Sequence, residues 1–259
     1  MRALAWILAR TPLHLAERFT WLLAWVWWLV LPVRKRVAVD NLRKALPGVP
    51  VGPTLRAALA SLALGIVELL QIDRIEVEAT GLDALRARSL MGLGSIVVGG
   101  HAAGFEAAVG TLAEDIPSAV FVRPPRNATA RAILEEHRGV FELLPPHGSM
   151  AQGYDALERG KVLIWVHDQR RNEGIPVPFF GRPAWTSPGP AAAHKRTGIP
   201  VFGGWISREA PGKLRVRLEP IEMSGDVERD TATLTAWIEA RVREDPGAWL
   251  WLHDRWKVP

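Results

Sequence analysis

The segment 97–106, VVGGHAAGFE, holds the first pair of side chains that could perform chemistry. His101 follows an apolar run and two glycines, which suit a tight strand-to-helix turn, and Glu106 stands five residues later. Within one regular helix the two side chains would point about 140° apart, so we expect His101 on the turn and Glu106 in the first helical turn.

A carboxylate on one imidazole nitrogen would fix the tautomer of His101. The other nitrogen could then accept a proton from a hydroxyl group. This arrangement suits an alcohol that attacks a thioester directly. The alternative is an exposed histidine beside an unrelated glutamate, and the two residues alone do not separate these interpretations.

Further polar side chains follow other short apolar runs of the chain. In open α/β sheets, ligands bind beyond the carboxyl ends of the strands, so these residues are interpreted as one group. They are His101, Arg123, Arg126, Asn127, His147 and Asp168. Each residue is a weak indication by itself, and their common position carries the prediction.

The elements that would position these residues alternate along the chain after residue 73. Strands are predicted at 75–79, 95–98, 119–122, 162–166, 201–206 and 214–218, and helices at 103–114, 128–138, 150–159, 188–197 and 230–243. Short apolar runs that alternate with helices predict an α/β fold. We expect a mostly parallel mixed sheet covered by helices on both faces. Two earlier helices, predicted at 37–47 and 54–72, suggest no chemistry.

The N-terminal segment predicts a hydrophobic anchor helix. Residues 19–33 carry no charge, the basic triplet 34–36 follows, and five of the 12 tryptophans lie within the first 28 residues. Tryptophan concentrates where an apolar environment meets a polar one. As a helix, the uncharged run would be about 22 Å long, shorter than a bilayer core of roughly 30 Å. We therefore expect either a short or tilted span with its basic end in the cytoplasm, or a helix lying in the interface.

Composition and missing motifs argue against several other classes of protein. The chain has no cysteine, which excludes disulfides and thiol catalysis. It lacks the G-x-S-x-G of serine hydrolases, and a complete G-x-G-x-x-G does not follow any predicted strand. The formal net charge of +5 favours anionic partners, but the basic residues are not clustered with aromatics as in nucleic-acid binders. We expect no metal, because His137 and His147 are too far apart for paired ligands.

Several sequence blocks combine into a more specific pattern. They are Asn41-Leu42 with Pro47, HAAGFE at 101–106, Arg138-Gly139, LERGKVLIWVHDQ at 157–169, VPFFGRPAWTSPG at 177–189, AAAHKRTGIPV at 191–201 and PGAWLWLHDRWK at 246–257. With them the chain from Val37 to Lys257 resembles the late acyltransferases of lipid A biosynthesis, within the glycerolipid acyltransferase superfamily. Gly104 and Phe105 depart from that family, where asparagine and tryptophan are common. This departure concerns the acceptor and the acyl-chain length more than the reaction.

The resemblance implies three catalytic residues. His101 would be the general base and Glu106 its orienting partner. Arg138 would stabilise the oxyanion that forms on the thioester carbonyl. The alternative for Arg138 is a cation that satisfies carbonyl groups at a helix C-terminus.

The resemblance also implies a group of substrate-binding residues. Arg123 and Arg126 match the block that contacts the anionic groups of the acceptor, and Asn127 adjoins them. Arginine suits this task through its fork of donors. Asp168 and Gln169 would lie beside the same cleft, where Asp168 bonds the acceptor or Arg138 or has a structural role.

The implied function is a membrane-associated O-acyltransferase at the cytoplasmic face of the inner membrane, with residues 1–36 as the anchor and 37–259 as the acyltransferase domain. The donor would be acyl carrier protein, whose acidic surface suits a basic enzyme, or acyl-CoA. The acceptor would be a hydroxyl of a lipid A precursor. Another glycolipid, such as a phosphatidylinositol mannoside, and a catalytically idle lipid-binding role are the alternatives. We expect neither a cofactor nor a nucleic-acid partner.

Overall fold

Four helices form the N-terminal part of the protein. The computed structural model describes residues 2–31, 33–121, 127–128, 132, 141–145 and 150–258. The helices are α1 (Arg2–Leu8), α2 (Leu13–Leu29), α3 (Lys35–Ala45) and α4 (Val51–Leu70). The predicted helices at 37–47 and 54–72 correspond to α3 and α4.

Helix α2 packs along α4 through one narrow face. The buried side chains of α2 are Ala16, Thr20, Ala24 and Trp27, which recur about once per helical turn. Small residues at three of these positions let the two helices approach closely. The opposite face of α2 stays apolar and exposed, which is unusual for a helix that packs only against its own protein.

Many large apolar residues before position 34 are exposed, and we call this set the N-terminal apolar patch. Its members are Leu4, Trp6, Ile7, Leu15, Phe19, Trp21, Leu22, Leu23, Trp25, Val26, Leu29, Val30, Leu31 and Val33. Among the described helices, α4, with 20 residues, is long and apolar enough to cross a membrane. Half of its apolar window is buried inside the protein.

A seven-stranded sheet forms the centre of the rest of the described chain. Its strands are β1 (Glu76–Thr80), β2 (Ser95–Gly99), β3 (Ser118–Phe121), β4 (Glu142–Leu144), β5 (Val162–Val166), β8 (Val201–Ala210) and β9 (Lys213–Ile221). The spatial order is β1-β9-β8-β2-β5-β3-β4. Neighbouring strands run parallel except β8 and β9, which form an antiparallel pair.

Helices cover both faces of this sheet, so the predicted α/β fold is confirmed. The helices are α5 (Leu82–Leu90), α6 (Phe105–Leu112), α7 (Ala151–Glu158), α8 (Gly189–Thr197) and α9 (Val227–Glu244). Alternate residues of β2 belong to two separate cores, because successive side chains of a strand point to opposite faces. Ile96 and Val98 lie in one core, and Val97 lies in the other.

Some elements were not predicted from the sequence. A separate hairpin pairs β6 (Ile175–Phe179) with β7 (Arg182–Thr186). Its first strand, IPVPF, holds two prolines, which are confined to sheet edges because they donate no hydrogen bond. Helix α5 buries only Leu85, so it has no apolar periodicity to reveal it. Strand β4 has three residues, too few for a pattern.

Candidate active site

The ends of two adjacent strands bring His101 and Asp168 together. Strands β2 and β5 are parallel neighbours, and Gly99 is paired with Val166 in their register. His101 and Asp168 each follow their strand by two residues. The sheet therefore places them side by side at its carboxyl edge, where ligands bind in this class of fold.

The two side chains form a short contact. His101 Nδ1 lies 2.7 Å from Asp168 Oδ1, and the backbone N–H of His101 donates to Asp168 Oδ2 over 2.7 Å. The Asp168 side chain is 1% exposed, whereas that of His101 is 30% exposed. An ionised carboxylate can only accept, so Nδ1 of His101 carries the proton. Nε2 of the neutral ring is then the nitrogen free to act as a base.

Asp168 is also fixed from the other side of the site. The indole N–H of Trp249 donates to Asp168 Oδ2 over 2.8 Å. A Cβ atom at Gly100 would lie 3.1 Å from Asp168 Oδ2 and 3.1 Å from the Trp205 ring. Gly100 has an ordinary negative φ, so this glycine is needed for close packing rather than for the unusual backbone angles we expected. Gly104 supplies the positive φ, +67°, that begins α6.

Electrostatics favour the ionised form of Asp168. Burial alone would raise the pKa of Asp168, but the attraction of His101 and the hydrogen bonds from His101 and Trp249 lower this pKa to about 2. Burial alone would lower the pKa of His101, but the attraction and hydrogen bond of Asp168 raise it above 6.5, with a smaller contribution from the charge of Glu106. Asp168 is thus a carboxylate throughout the working pH range, and it stabilises the imidazolium form of His101.

Gln169 lies against the imidazole ring. Its Nε2 is 3.1 Å from His101 Nε2 and 3.4 Å from His101 Nδ1. Because these two distances are nearly equal, the amide lies over the ring and not along the lone pair of Nε2. That lone pair stays directed away from Gln169.

The carboxylate on the imidazole is that of Asp168, and this corrects the expected pairing with Glu106. Glu106 does lie in the first turn of α6 as predicted. Within the described residues, however, it forms no hydrogen bond to the ring and acts on His101 through its charge alone. The spacing along the chain predicted that Glu106 would lie near His101, but the end of strand β5 brings the carboxylate of Asp168 nearer to the ring.

The other predicted site residues are placed only in part. Arg123, Arg126 and Arg138 lie outside the described residues. Asn127 is described and is exposed. Asp168 and Gln169, predicted as substrate-binding residues, are both at the imidazole.

The C-terminal segment supplies site residues that the sequence interpretation missed. Trp249 contacts Asp168, and two further groups of the segment, His253 and Arg255, interact electrostatically with Asp168. Arg255 is fully buried, donates to Trp185 O over 3.0 Å, and has its pKa lowered to about 10 by burial. Burial also lowers the pKa of His253 to about 4. The tryptophan-rich block 246–257 was noticed as a sequence pattern, but no spacing rule connects it with residue 168.

An apolar cavity lies beside the catalytic turn, between the sheet and helices α5 and α6. It comprises about 560 Å³, including the open space at its mouth. Gly99 and Phe105 line it, on either side of His101 in the chain, and its far wall includes Leu82 and Leu85. The lining is almost wholly apolar, which suits a hydrocarbon chain. Over the described ranges, no group of three or more histidine, aspartate or glutamate side chains could hold a metal ion.

Comparison with known proteins identifies the family. The crystal structure of the 1-acyl-sn-glycerophosphate (LPA) acyltransferase PlsC from Thermotoga maritima is similar to this chain, with 14% identity and a TM-score of 0.41, over 92% of this chain and 97% of that one. No curated protein matches. The profile of the family described as "Bacterial lipid A biosynthesis acyltransferase" matches residues 1–258. The chain therefore belongs to the bacterial lipid A biosynthesis acyltransferase family and is an acyltransferase that acts on lipid substrates.

Proposed function

We propose that this enzyme transfers a fatty acyl group from acyl carrier protein, or from acyl-CoA, to a hydroxyl group of a lipid A precursor, with His101 as the general base. The observation that carries the proposal is the 2.7 Å contact between His101 Nδ1 and Asp168 Oδ1. This contact holds the ring in the tautomer whose Nε2 can take a proton. Membership of the lipid A biosynthesis acyltransferase family supports a lipid A precursor as the acceptor.

The reaction begins when the acceptor hydroxyl donates a hydrogen bond to the lone pair of His101 Nε2. Nε2 takes the hydroxyl proton as the oxygen attacks the thioester carbonyl carbon, and Asp168 stabilises the imidazolium that forms. The tetrahedral intermediate collapses, the C–S bond breaks, and the imidazolium returns its proton to the leaving thiolate. The products are the O-acyl ester and the free thiol of the carrier.

The remaining sequence predictions fit this scheme as parts of the proposal. Arg138 would stabilise the developing oxyanion. Arg123, Arg126 and Asn127 would bind the anionic groups of the acceptor. Glu106 would contribute a nearby negative charge that favours the imidazolium.

The apolar cavity is the proposed site of the acyl chain. It adjoins the catalytic turn at Gly99 and Phe105, so a chain seated there would present its thioester carbonyl near His101. Burial of a methylene group contributes about 0.8 kcal/mol, which would hold the donor without any polar contact. The depth of this cavity would then limit the length of the transferred chain.

We propose that the N-terminal apolar patch binds the cytoplasmic face of the inner membrane. Three tryptophans in or next to the patch carry basic partners over their rings: Arg10 lies 4.3 Å from Trp6, Lys35 lies 4.0 Å from Trp28, and Arg56 lies 3.8 Å from Trp25. Aromatic rings beside cations suit the headgroup region of an anionic bilayer. Since α2 packs along α4 through one face, a helix that lies in the interface is favoured over a span. In this arrangement residues 1–36 would serve as the anchor of the domain at 37–259.

The test is mass spectrometry of the glycolipids from cells that lack the gene, or that carry the wild type, His101→Ala or Asp168→Asn. We expect the deletion to leave lipid A one acyl chain short and only the wild type to restore it fully. Asp155→Asn is the matched control for Asp168→Asn, because Asp155 is exposed. Full restoration by His101→Ala would contradict the proposed mechanism. Unchanged lipid A together with another glycolipid that lacks one chain would show that the acceptor is different.

A further inference from the structure

The C-terminal segment after α9 is fastened to the protein by contacts that do not involve the active site. Asn41 Nδ2 donates to Trp251 O over 2.9 Å and to His253 O over 2.8 Å. The indole of Trp256 donates to Phe179 O over 3.1 Å, and within the segment the indole of Trp251 donates to Pro246 O over 2.8 Å. The segment is therefore held in place before any contact with Asp168 is considered.

Trp249 is held rigidly within this segment. Its side chain is 1% exposed. Its ring meets that of Trp251 edge to face at 4.7 Å and that of Phe179 at 5.7 Å. Because the packing leaves the indole no room to turn, its N–H is a fixed donor aimed at Asp168.

Asp168 receives three hydrogen bonds in the described part of the chain. Two of them come from His101 itself, through Nδ1 and through its backbone N–H. Only the bond from Trp249 comes from another element. Without it, no described donor outside His101 would fix the plane of the carboxylate relative to the imidazole.

We propose that Trp249 is a positioning residue that orients the Asp168 carboxylate and thereby keeps His101 in the Nδ1–H tautomer. Its consequence for catalysis rests on the proposed function of His101, whereas its consequence for the tautomer does not. Charged and titratable groups around the pair are Glu106, His167, His253 and Arg255, and none of them donates a hydrogen bond to Asp168 in place of the indole.

The chain contains a matched pair of variants for the test. Trp249→Phe removes the N–H and keeps an aromatic ring in a buried site. Trp251→Phe does the same at an equally buried position, two residues away, whose N–H bonds to a backbone carbonyl instead. Any effect of ring size on the packing of this segment should appear in both variants.

Two measurements on the full-length protein in detergent separate positioning from general destabilisation. The first is the ¹⁵N chemical shifts of the imidazole nitrogens of His101, assigned with His101→Gln, which report the tautomer. The second is kcat and KM for transfer from lauroyl-CoA to a purified lipid A precursor. For Trp249→Phe we expect a mixed tautomer and a kcat lower by about ten- to a hundredfold, as for loss of a hydrogen bond to a charged group, with KM nearly unchanged. Trp251→Phe should match the wild type in both.

The outcomes are decisive in each direction. Equal tautomers in Trp249→Phe and the wild type would overturn the inference, even if kcat fell. If His101→Ala retains activity, the proposed function is refuted. The inference about Trp249 is then decided by the tautomer measurement alone. If Trp249→Phe does not fold, the wild type still provides a test. The chemical shift of the Trp249 indole proton should then change with pH with the same midpoint as the titration of His101, and that of the Trp251 indole proton should not. A Trp249 chemical shift that does not change would overturn the inference.

Discussion

Asp168→Asn should invert the protonation of His101. Asp168 Oδ2 accepts from two fixed donors, the His101 backbone N–H and the Trp249 indole. The NH₂ group of an asparagine cannot take this position without opposing both donors, each of which would cost about 1–3 kcal/mol if left unsatisfied. The amide oxygen should therefore occupy the Oδ2 position, and the NH₂ group should face Nδ1.

This orientation forces Nδ1 of His101 to accept, so Nε2 must carry the proton. A protonated Nε2 cannot take the proton of the acceptor hydroxyl. We expect kcat to fall by about 10²–10⁴-fold, the range typical for loss of a general base, with little change in KM. Folding should be retained, because the amide still satisfies both Oδ2 donors.

The assay is the steady-state rate of acyl transfer as a function of pH, together with the ¹⁵N shifts of His101. In the wild type, the rate should decline on the acid side with a midpoint above 6.5, because Asp168 raises the pKa of His101 and the base works only when neutral. In Asp168→Asn this raising interaction is lost, so the midpoint of any residual rate should move to lower pH. A variant with a rate within about twofold of the wild type, or one that keeps the Nδ1–H tautomer, would refute the reasoning.

Three further predictions concern other parts of the molecule. Glu106→Gln should move the acid-side midpoint of the pH–rate profile to lower pH, because the charge of Glu106 raises the pKa of the His101 imidazole. It should reduce the plateau rate far less than Asp168→Asn does. A plateau rate as low as that of Asp168→Asn would assign Glu106 a direct catalytic role. Glu68→Gln should lower the free energy of unfolding by about 3–5 kcal/mol in urea titrations, because the fully buried carboxylate of Glu68 pairs with the Arg208 guanidinium at 2.6 Å. Glu78→Gln, at an exposed carboxylate, should have no measurable effect on this free energy. Leu22→Gln, in the N-terminal apolar patch, should weaken co-sedimentation with anionic vesicles, whereas Leu90→Gln, on an exposed site of α5, should not; equal binding by both would contradict the proposed membrane surface.

The alternation of short apolar runs with helices was sufficient to predict the α/β sheet and most of its strands. Local patterns report this directly, since a buried strand must be apolar along its length. The same patterns placed His101 and Asp168 at strand ends. They did not reveal the β6–β7 hairpin, whose prolines hide a strand, or α5, which buries too little to show a period.

The sequence by itself determined the fold class, the family blocks, the position of His101 after its strand and the apolar character of the N-terminus. Only the tertiary structure decided which carboxylate holds the imidazole. The order of strands in the sheet puts β5 beside β2, so Asp168, 67 residues away, lies nearer to His101 Nδ1 than Glu106 does. Trp249 reaches the same carboxylate from the C-terminal segment, 81 residues beyond Asp168. Such contacts depend on how distant segments pack, and spacing along the chain carries no information about that packing.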